Sequence, residues 1–153
     1  MLTRPAYKDI IVESIRCCQA RKGLLLYEWT IMTNHVHLLA SSAEGCSLSD
    51  ILRDVKKFTS GKIHMAIRDH PGESRNEWML ALLKEAGETK KHNAGFQLWQ
   101  QHNQPLLVTK PEEVDRVVAY IRMNPVVEGL VDEPEAYCYS SAYEQGMLKP
   151  EEL

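Results

Sequence analysis

Residues 24–41 read LLLYEWTIMTNHVHLLAS, and this stretch decides which class of fold the chain forms. Leu24 to Met32 is short and rich in aliphatic and aromatic residues, which is typical of a β-strand. Thr33 and Asn34 favour a turn, and His35 to Ser41 then forms the returning strand. The stretch therefore predicts a β-hairpin.

Helical patterns lie on both sides of this hairpin. Residues 7–21 place apolar side chains at the spacing of an amphipathic helix. A second helix begins at a cap, Ser47 or Ser49, and runs to about Arg68. Residues 76–86 form a third, shorter helix. Helices mixed with a hairpin indicate an α+β fold, in which an antiparallel sheet has helices packed on one face.

A fourth helix is predicted after Thr109. Thr109 and Glu112 fit a capping box, and Pro111 lies in the first turn, where its missing N–H costs nothing. Pro125 disfavours a helical conformation in the residue before it. We therefore expect this helix to end at Asn124 or one residue earlier.

The composition fits one globular domain spanning residues 1–153. Hydrophobic residues make up 44% of the chain and charged residues 25%, which is enough apolar surface for a core. No apolar run approaches the ~20 residues of a membrane-spanning helix. The N-terminal MLTRPAYKDI lacks the apolar core of a secretory signal. We expect a cytoplasmic protein without a membrane partner.

The charge is unevenly distributed along the chain. The formal net charge is −3, whereas proteins that bind nucleic acid non-specifically usually carry a basic excess. Residues 53–68 nevertheless hold five cations against the single acid Asp54, and the segment after Glu128 is acidic. The basic segment is either a binding surface or an ordinary solvated helix face.

His35 and His37 form the first candidate site. Side chains two residues apart on a strand project from the same face, so the two imidazoles lie together while Val36 faces the core. Neighbouring neutral imidazoles can hold a metal ion when another element supplies a further ligand. The same pattern also occurs as an ordinary surface pair.

Tyr120 and Asn124 form the second candidate site, on the fourth helix. Residues four apart lie one above the other on a helix, here on one flank of an apolar arc that includes Ile121. The amide oxygen of Asn124 can ligate a hard cation, and the Tyr120 hydroxyl can attack phosphorus. A half-buried tyrosine and an asparagine that caps the helix before Pro125 explain the same residues.

The two pairs have a joint interpretation. A cation held by two imidazoles and one amide oxygen keeps positions open for phosphate oxygens, and a tyrosine one turn away is placed for attack. Imidazole together with amide and phosphate oxygens suits Mg²⁺ or Mn²⁺ better than metals that prefer thiolates. Together the four residues therefore predict metal-assisted phosphoryl transfer.

The chain resembles a known family in both places. Residues 31–39, IMTNHVHLL, resemble the HUH motif of single-tyrosine transposases, especially the REP-associated tyrosine transposases. Residues 120–126, YIRMNPV, with Gly129-Leu130 and the later residues 139–141, YSS, resemble the nucleophile helix of these enzymes and its continuation. Trp99-Gln100 also matches, and the order and spacing agree from about Leu24 to Ala142.

The resemblance implies a ferredoxin-like α+β domain that binds single-stranded DNA, often as a hairpin. It implies strand cleavage that leaves a 5′-phosphotyrosine and a free 3′-OH. Tyr120 matches the nucleophile, and His35, His37 and Asn124 match the metal ligands. Lys56 and Lys57, on the helix after the HUH strand, are our own candidates for phosphate contacts.

The chain departs from the family in two places. Thr33 stands where the motif usually has a proline, which changes the rigidity of the turn and leaves the ligands in place. Family members usually carry a β-strand before the segment that matches residues 2–5, so we expect this N-terminal strand to be missing. A sheet without it exposes an edge, which a homodimer would cover.

Two other functions fit the same residues. One is a DNA-repeat-binding module that has lost catalysis, and the other is a metal-dependent phosphodiesterase in which water attacks and Tyr120 is structural. A covalent bond between Tyr120 and DNA separates all three, because only strand transfer forms one.

Overall fold

The computed structural model describes residues 2–70, 74–88, 95–100 and 103–152. Their elements confirm the predicted α+β class, and the hairpin lies where the sequence predicts it. The elements in chain order are α1 (Pro5–Arg21), β1 (Leu24–Ile31), β2 (Val36–Ser42), α2 (Leu48–Asp69), α3 (Asn76–Glu88), α4 (Pro111–Val127) and a 3₁₀ turn (Pro134–Ala136).

The hairpin has a β-bulge that changes which side chains face the core. β1 and β2 are antiparallel, with Thr30 opposite His37, and the register shifts between Leu26 and Glu28. A bulge reverses the alternation of side chains beyond it. Trp29 therefore continues the core face, whereas Glu28 and Thr30 share the other face with His37.

The core lies between the hairpin and the first two helices. Trp29 and Ile31 of β1 belong to one buried cluster with side chains of α1 and α2. α2 contributes a stripe of every fourth residue, and each large apolar side chain buried there stabilises the fold by about 1.5–3 kcal/mol. The buried α2 residues are Ile51, Val55, Thr59, Ile63 and Ile67.

α4 packs against the opposite face of the hairpin. It contacts both β1 and β2, and its contacts are made to side chains on the Glu28 and His37 face. The prediction placed the helices on one face of the sheet. The structure instead has α1 and α2 on the core face and α4 on the other, so the hairpin is covered on both sides.

The predicted start of α4 is wrong by one residue. Lys110, not Thr109, is the N-cap, and it makes no side-chain cap hydrogen bond. Pro111 explains the difference, because a proline forces the residue before it into an extended conformation. Lys110 has φ −103° and ψ 140°, which is an extended conformation. If Thr109 were the N-cap, Lys110 would have to be helical.

The predicted end of α4 is also wrong, because Pro125 lies inside the helix. In the last turn its missing N–H removes only one intrahelical bond. The helix instead ends at Val127, two residues before Gly129, which has φ +67°. The Gly129 amide donates to Val126 O at 2.9 Å and the Leu130 amide donates to Pro125 O at 2.9 Å, a Schellman motif.

Residues 139–141 of the C-terminal segment (residues 137–148) lie along the edge of β1 that faces away from β2. The Ile31 amide donates to Tyr139 O at 2.9 Å, and the Ser141 amide donates to Trp29 O at 3.0 Å. Within the described residues β2 pairs with β1 alone, so its other edge is open. No helix of the described residues is long and apolar enough to cross a membrane.

A buried lysine ties this C-terminal segment to α1. Lys8 lies over the rings of Tyr137 and Tyr139, with Nζ 4.9 and 4.8 Å from their centroids. Its ammonium also donates to Tyr137 Oη at 2.5 Å, and Tyr137 Oη donates to Ile31 O at 2.8 Å. Burial lowers the pKa of Lys8. These contacts hold the segment beside the end of β1.

Candidate active site

The turn of the hairpin brings the two histidines side by side. The Met32 amide donates to His35 O at 2.9 Å and closes the turn. The His35 and His37 ring centroids are 4.7 Å apart in an edge-on arrangement. Val36 packs against the core. The alternation predicted from the sequence is therefore present, and both imidazoles project away from the core.

Asn124 reaches this pair from α4. Its Oδ1 lies 3.2 Å from His35 Nε2, and the residue is buried. The alternative that Asn124 caps the end of the helix is wrong, since α4 continues to Val127. The amide side chain instead crosses from the helix to the hairpin, as the joint interpretation of the four residues requires.

Tyr120 lies next to His37. The ring centroids are 5.2 Å apart with an interplanar angle of 74°, and 58% of the tyrosine is exposed. The alternative of a half-buried packing residue therefore does not describe it. The tyrosine and imidazole rings meet in an edge-to-face arrangement while the tyrosine side chain stays exposed.

The hydrogen bonds of the histidines leave lone pairs on this face. His35 Nδ1 lies 2.7 Å from Asn34 Oδ1. An amide oxygen only accepts, so in the tautomer that donates from Nδ1 to Asn34 the Nε2 of the neutral ring offers its lone pair to a cation. His37 Nε2 is buried without a hydrogen-bond partner among the described residues. Burial, and secondly the neighbouring His35, lower the pKa of His37, which favours its neutral form.

These donors fit a divalent cation. Adjacent ligands of an octahedral ion with ~2.1 Å bonds are about 3 Å apart, close to the separation of His35 Nε2 and Asn124 Oδ1. Two lone pairs facing each other at this distance repel unless a proton or a cation lies between them. In the described part of the chain, no three histidine, cysteine or acidic side chains converge. The amide oxygen therefore completes the candidate set.

Lys56 and Lys57 are not part of this cluster. They lie on α2, which packs on the core face of the hairpin, whereas the other four candidates lie on the opposite face. Lys56 Nζ donates to Gln100 O at 2.7 Å, and Lys57 is exposed. Their neighbours Arg53 and Arg68 form ion pairs with acids of α2 at 2.7 and 2.6 Å. The basic segment is therefore partly neutralised.

Sequence reasoning missed three residues beside the site, namely Glu28, Arg122 and Ser141. Arg122 Nε donates to Glu28 Oε1 at 3.1 Å and Nη2 donates to Oε2 at 3.0 Å. Ser141 Oγ also donates to Glu28 Oε1. The available signal was an acidic residue within the apolar strand LLLYEWTI, because a buried carboxylate needs a partner.

The fold and the site define an α+β protein in which a helix presents a tyrosine and an asparagine to a histidine pair on a hairpin. The family model described as "Transposase IS200 like" matches residues 1–124, which is most of the chain and includes all four candidate residues. The chain belongs to the family of IS200-like transposases. Comparison with curated proteins and with solved structures finds no match.

Proposed function

We propose that this transposase cuts and rejoins single-stranded DNA through Tyr120. The observation that carries the proposal is the convergence of Tyr120 and Asn124 of α4 on His35 and His37 of the hairpin. Their separation in the chain makes this convergence informative, because His35 and Asn124 are 89 positions apart. Membership of a transposase family supports DNA as the substrate.

The proposed reaction exchanges one phosphodiester for another. Tyr120 Oη attacks a backbone phosphorus, the Oη–P bond forms, and the bond from phosphorus to the 3′ oxygen breaks. The tyrosine loses its proton to solvent and the leaving 3′ oxygen gains one. The products are a 5′-phosphotyrosine and a free 3′-OH. Rejoining is the reverse, with a 3′-OH attacking the phosphotyrosine.

His35, His37 and Asn124 would hold Mg²⁺ or Mn²⁺. When bound, the cation would supply charge stabilisation to the phosphate oxygens and to the leaving oxygen. The residues themselves supply the arrangement: His37 is kept neutral by burial, and Asn34 fixes the His35 ring with Nε2 turned toward Asn124. The exposed Tyr120 leaves room for a DNA strand to approach.

Mass spectrometry of the protein with DNA tests this proposal directly. The probes are single-stranded oligonucleotides carrying the DNA that flanks the coding sequence, with Mn²⁺ present. We expect an adduct heavier than the protein by the 5′-phosphorylated fragment less one water, mapped to the peptide of Tyr120. Cut DNA without an adduct would indicate hydrolysis by water, and bound but intact DNA would indicate a binding module without catalysis.

Lys57 is the better candidate for a phosphate contact of the two lysines of α2. Because Lys57 is exposed, Lys57→Ala should reduce the salt slope of single-strand binding by about 0.7, the release of one counterion. Lys56→Ala should leave that slope unchanged, since its ammonium is bound to Gln100 O. Fluorescence anisotropy across a salt series measures both variants. An unchanged slope in Lys57→Ala would place the DNA track away from α2.

A second copy of the chain is a further proposed partner. The outer edge of β2 is open in the described residues, and an open edge favours strand pairing between chains. Ala40→Pro on β2 should therefore shift the protein toward monomer in gel filtration with light scattering. The amide of Ala40 lies three residues from that of His37, which faces β1, so it points to the open edge, and proline there cannot donate to a strand of another chain. A wild-type protein that is monomeric at all concentrations would contradict this.

A further inference from the structure

The buried Glu28 lies directly under α4, on the face of the hairpin that carries His37. It is 2% exposed, and its carboxylate accepts two parallel bonds from the guanidinium of Arg122. A bidentate pair of this kind fixes orientation as well as distance. The Ser141 hydroxyl of the C-terminal segment donates to the same carboxylate. This second hydrogen bond keeps the Glu28 carboxylate in place if α4 moves.

Arg122 and Tyr120 lie on opposite flanks of α4. Successive residues of a helix are about 100° apart, so residues 120 and 122 are about 200° apart, with the buried Ile121 between them. Tyr120 and Asn124 contact the histidines on one flank, and Arg122 contacts Glu28 on the other. The Arg122–Glu28 pair therefore opposes a roll of the helix about its own axis.

A small roll is enough to matter. Side chains extend about 5–6 Å from the helix axis, so a 10° roll moves the Tyr120 ring by about 1 Å. Misplacement by 1 Å can slow a reaction by about a hundredfold. Apolar packing of Ile121 sets no preferred hydrogen-bond direction, whereas the bidentate Arg122–Glu28 pair fixes orientation as well as distance.

We infer that Glu28 is a positioning residue for the active site, which acts through Arg122 to set the rotation of α4 and so the positions of Tyr120 and Asn124. The inference rests on the proposed function for its effect on cleavage. The effect on geometry is independent of that function. Through its hydrogen bond to Glu28, Ser141 links the C-terminal segment to this positioning of α4. That segment lies beyond the residues that match the family model.

The test compares Arg122→Lys with Arg116→Lys. Lysine loses the bidentate contact with Glu28. It keeps a positive charge near Glu28, so the buried carboxylate is not left without an ionic partner. Arg116 is the matched control, because it lies on the same helix and, among the described residues, its guanidinium donates to Glu112 O of α4 itself at 3.2 Å. The double variant Glu28→Gln with Arg122→Gln removes both charges and tests the same contact.

Two measurements report the position of α4 without DNA. Wild type should show a nuclear Overhauser effect between the Tyr120 and His37 rings, since their centroids are 5.2 Å apart, and Arg122→Lys should weaken it. Mn²⁺ affinity by calorimetry should fall about tenfold, the usual cost of losing a group that orients a ligand. Arg116→Lys should match wild type in both. If Tyr120 cuts DNA as proposed, cleavage by Arg122→Lys should slow by up to about a hundredfold.

The outcomes separate this inference from the proposed function. A lower melting temperature in Arg122→Lys and the double variant, with the ring contact and Mn²⁺ affinity unchanged, would overturn it and leave the pair as structural only. Wild type that binds no Mn²⁺ would contradict the proposed metal site. The ring contact would still decide the role of Glu28 in that case.

Discussion

Tyr120→Phe should abolish cleavage and adduct formation while leaving the affinity for single-stranded DNA almost unchanged. The substitution removes only the oxygen that attacks phosphorus. Loss of a nucleophile lowers rates by about a thousandfold or more. The fold should tolerate the change, because Tyr120 is exposed and phenylalanine keeps the edge-on ring contact with His37. Cleavage of a labelled oligonucleotide and anisotropy of the same oligonucleotide measure the two properties.

Tyr143→Phe is the matched control for this variant. Tyr143 lies in the C-terminal segment, where its hydroxyl donates to Gln145 Oε1 at 3.4 Å, and its loss should leave cleavage at the wild-type rate. If Tyr120→Phe still cuts DNA, Tyr120 is not the nucleophile, and attack by water becomes the better account of any metal-dependent activity.

The hairpin and its two histidines were predictable because their signals are local. Alternation of side chains along seven residues places His35 and His37 on one face, and the turn residues between the strands are adjacent in the chain. Helical spacing likewise predicted that Tyr120 and Asn124 share a flank of α4. Short-range periodicity was sufficient for each pair separately. Their meeting at one site rested on the joint chemical interpretation and on the resemblance to a family.

The contacts of Glu28 could not be predicted, because they depend on a bulge and on distant residues. Without the shift of register after Leu26, Glu28 would face the core rather than α4. Its partners Arg122 and Ser141 are 94 and 113 positions away. No local pattern identifies such partners, although an acidic residue in an apolar strand indicates that some partner exists.

The end of α4 shows how two local signals compete. Pro125 and Gly129 both oppose a helix, and the prediction chose the proline. A proline in the last turn costs one hydrogen bond, and burial of Asn124 and Pro125 against the rest of the fold compensates for it. Gly129 adopts a left-handed conformation that other residues avoid. The glycine therefore decides where the helix stops.

His37→Ala should abolish the stabilisation of the protein by Mn²⁺. Any ligand that binds only the folded state stabilises it, by about 2.7 kcal/mol at a concentration one hundred times its Kd. For a chain of this size that is a rise in Tm of about 5–10 °C, which wild type should show and His37→Ala should not. In calorimetric titration, His37→Ala should bind Mn²⁺ more than about a hundredfold more weakly than wild type. That loss exceeds the one expected when a residue that only orients a metal ligand is removed.

The three proposed ligands should differ in the size of this effect. His35→Ala should behave like His37→Ala, whereas Asn124→Ala should lose only about tenfold, because water can replace an amide oxygen. His64→Ala is the control. The His64 ring stacks on the Phe96 ring, with centroids 4.2 Å apart, and it is not one of the proposed ligands. Without metal, His37→Ala should melt close to wild type, because the buried Nε2 that it removes has no partner among the described residues. If His37→Ala melts much lower without metal and binds Mn²⁺ as wild type does, the histidine pair serves the fold, and the cation must bind elsewhere.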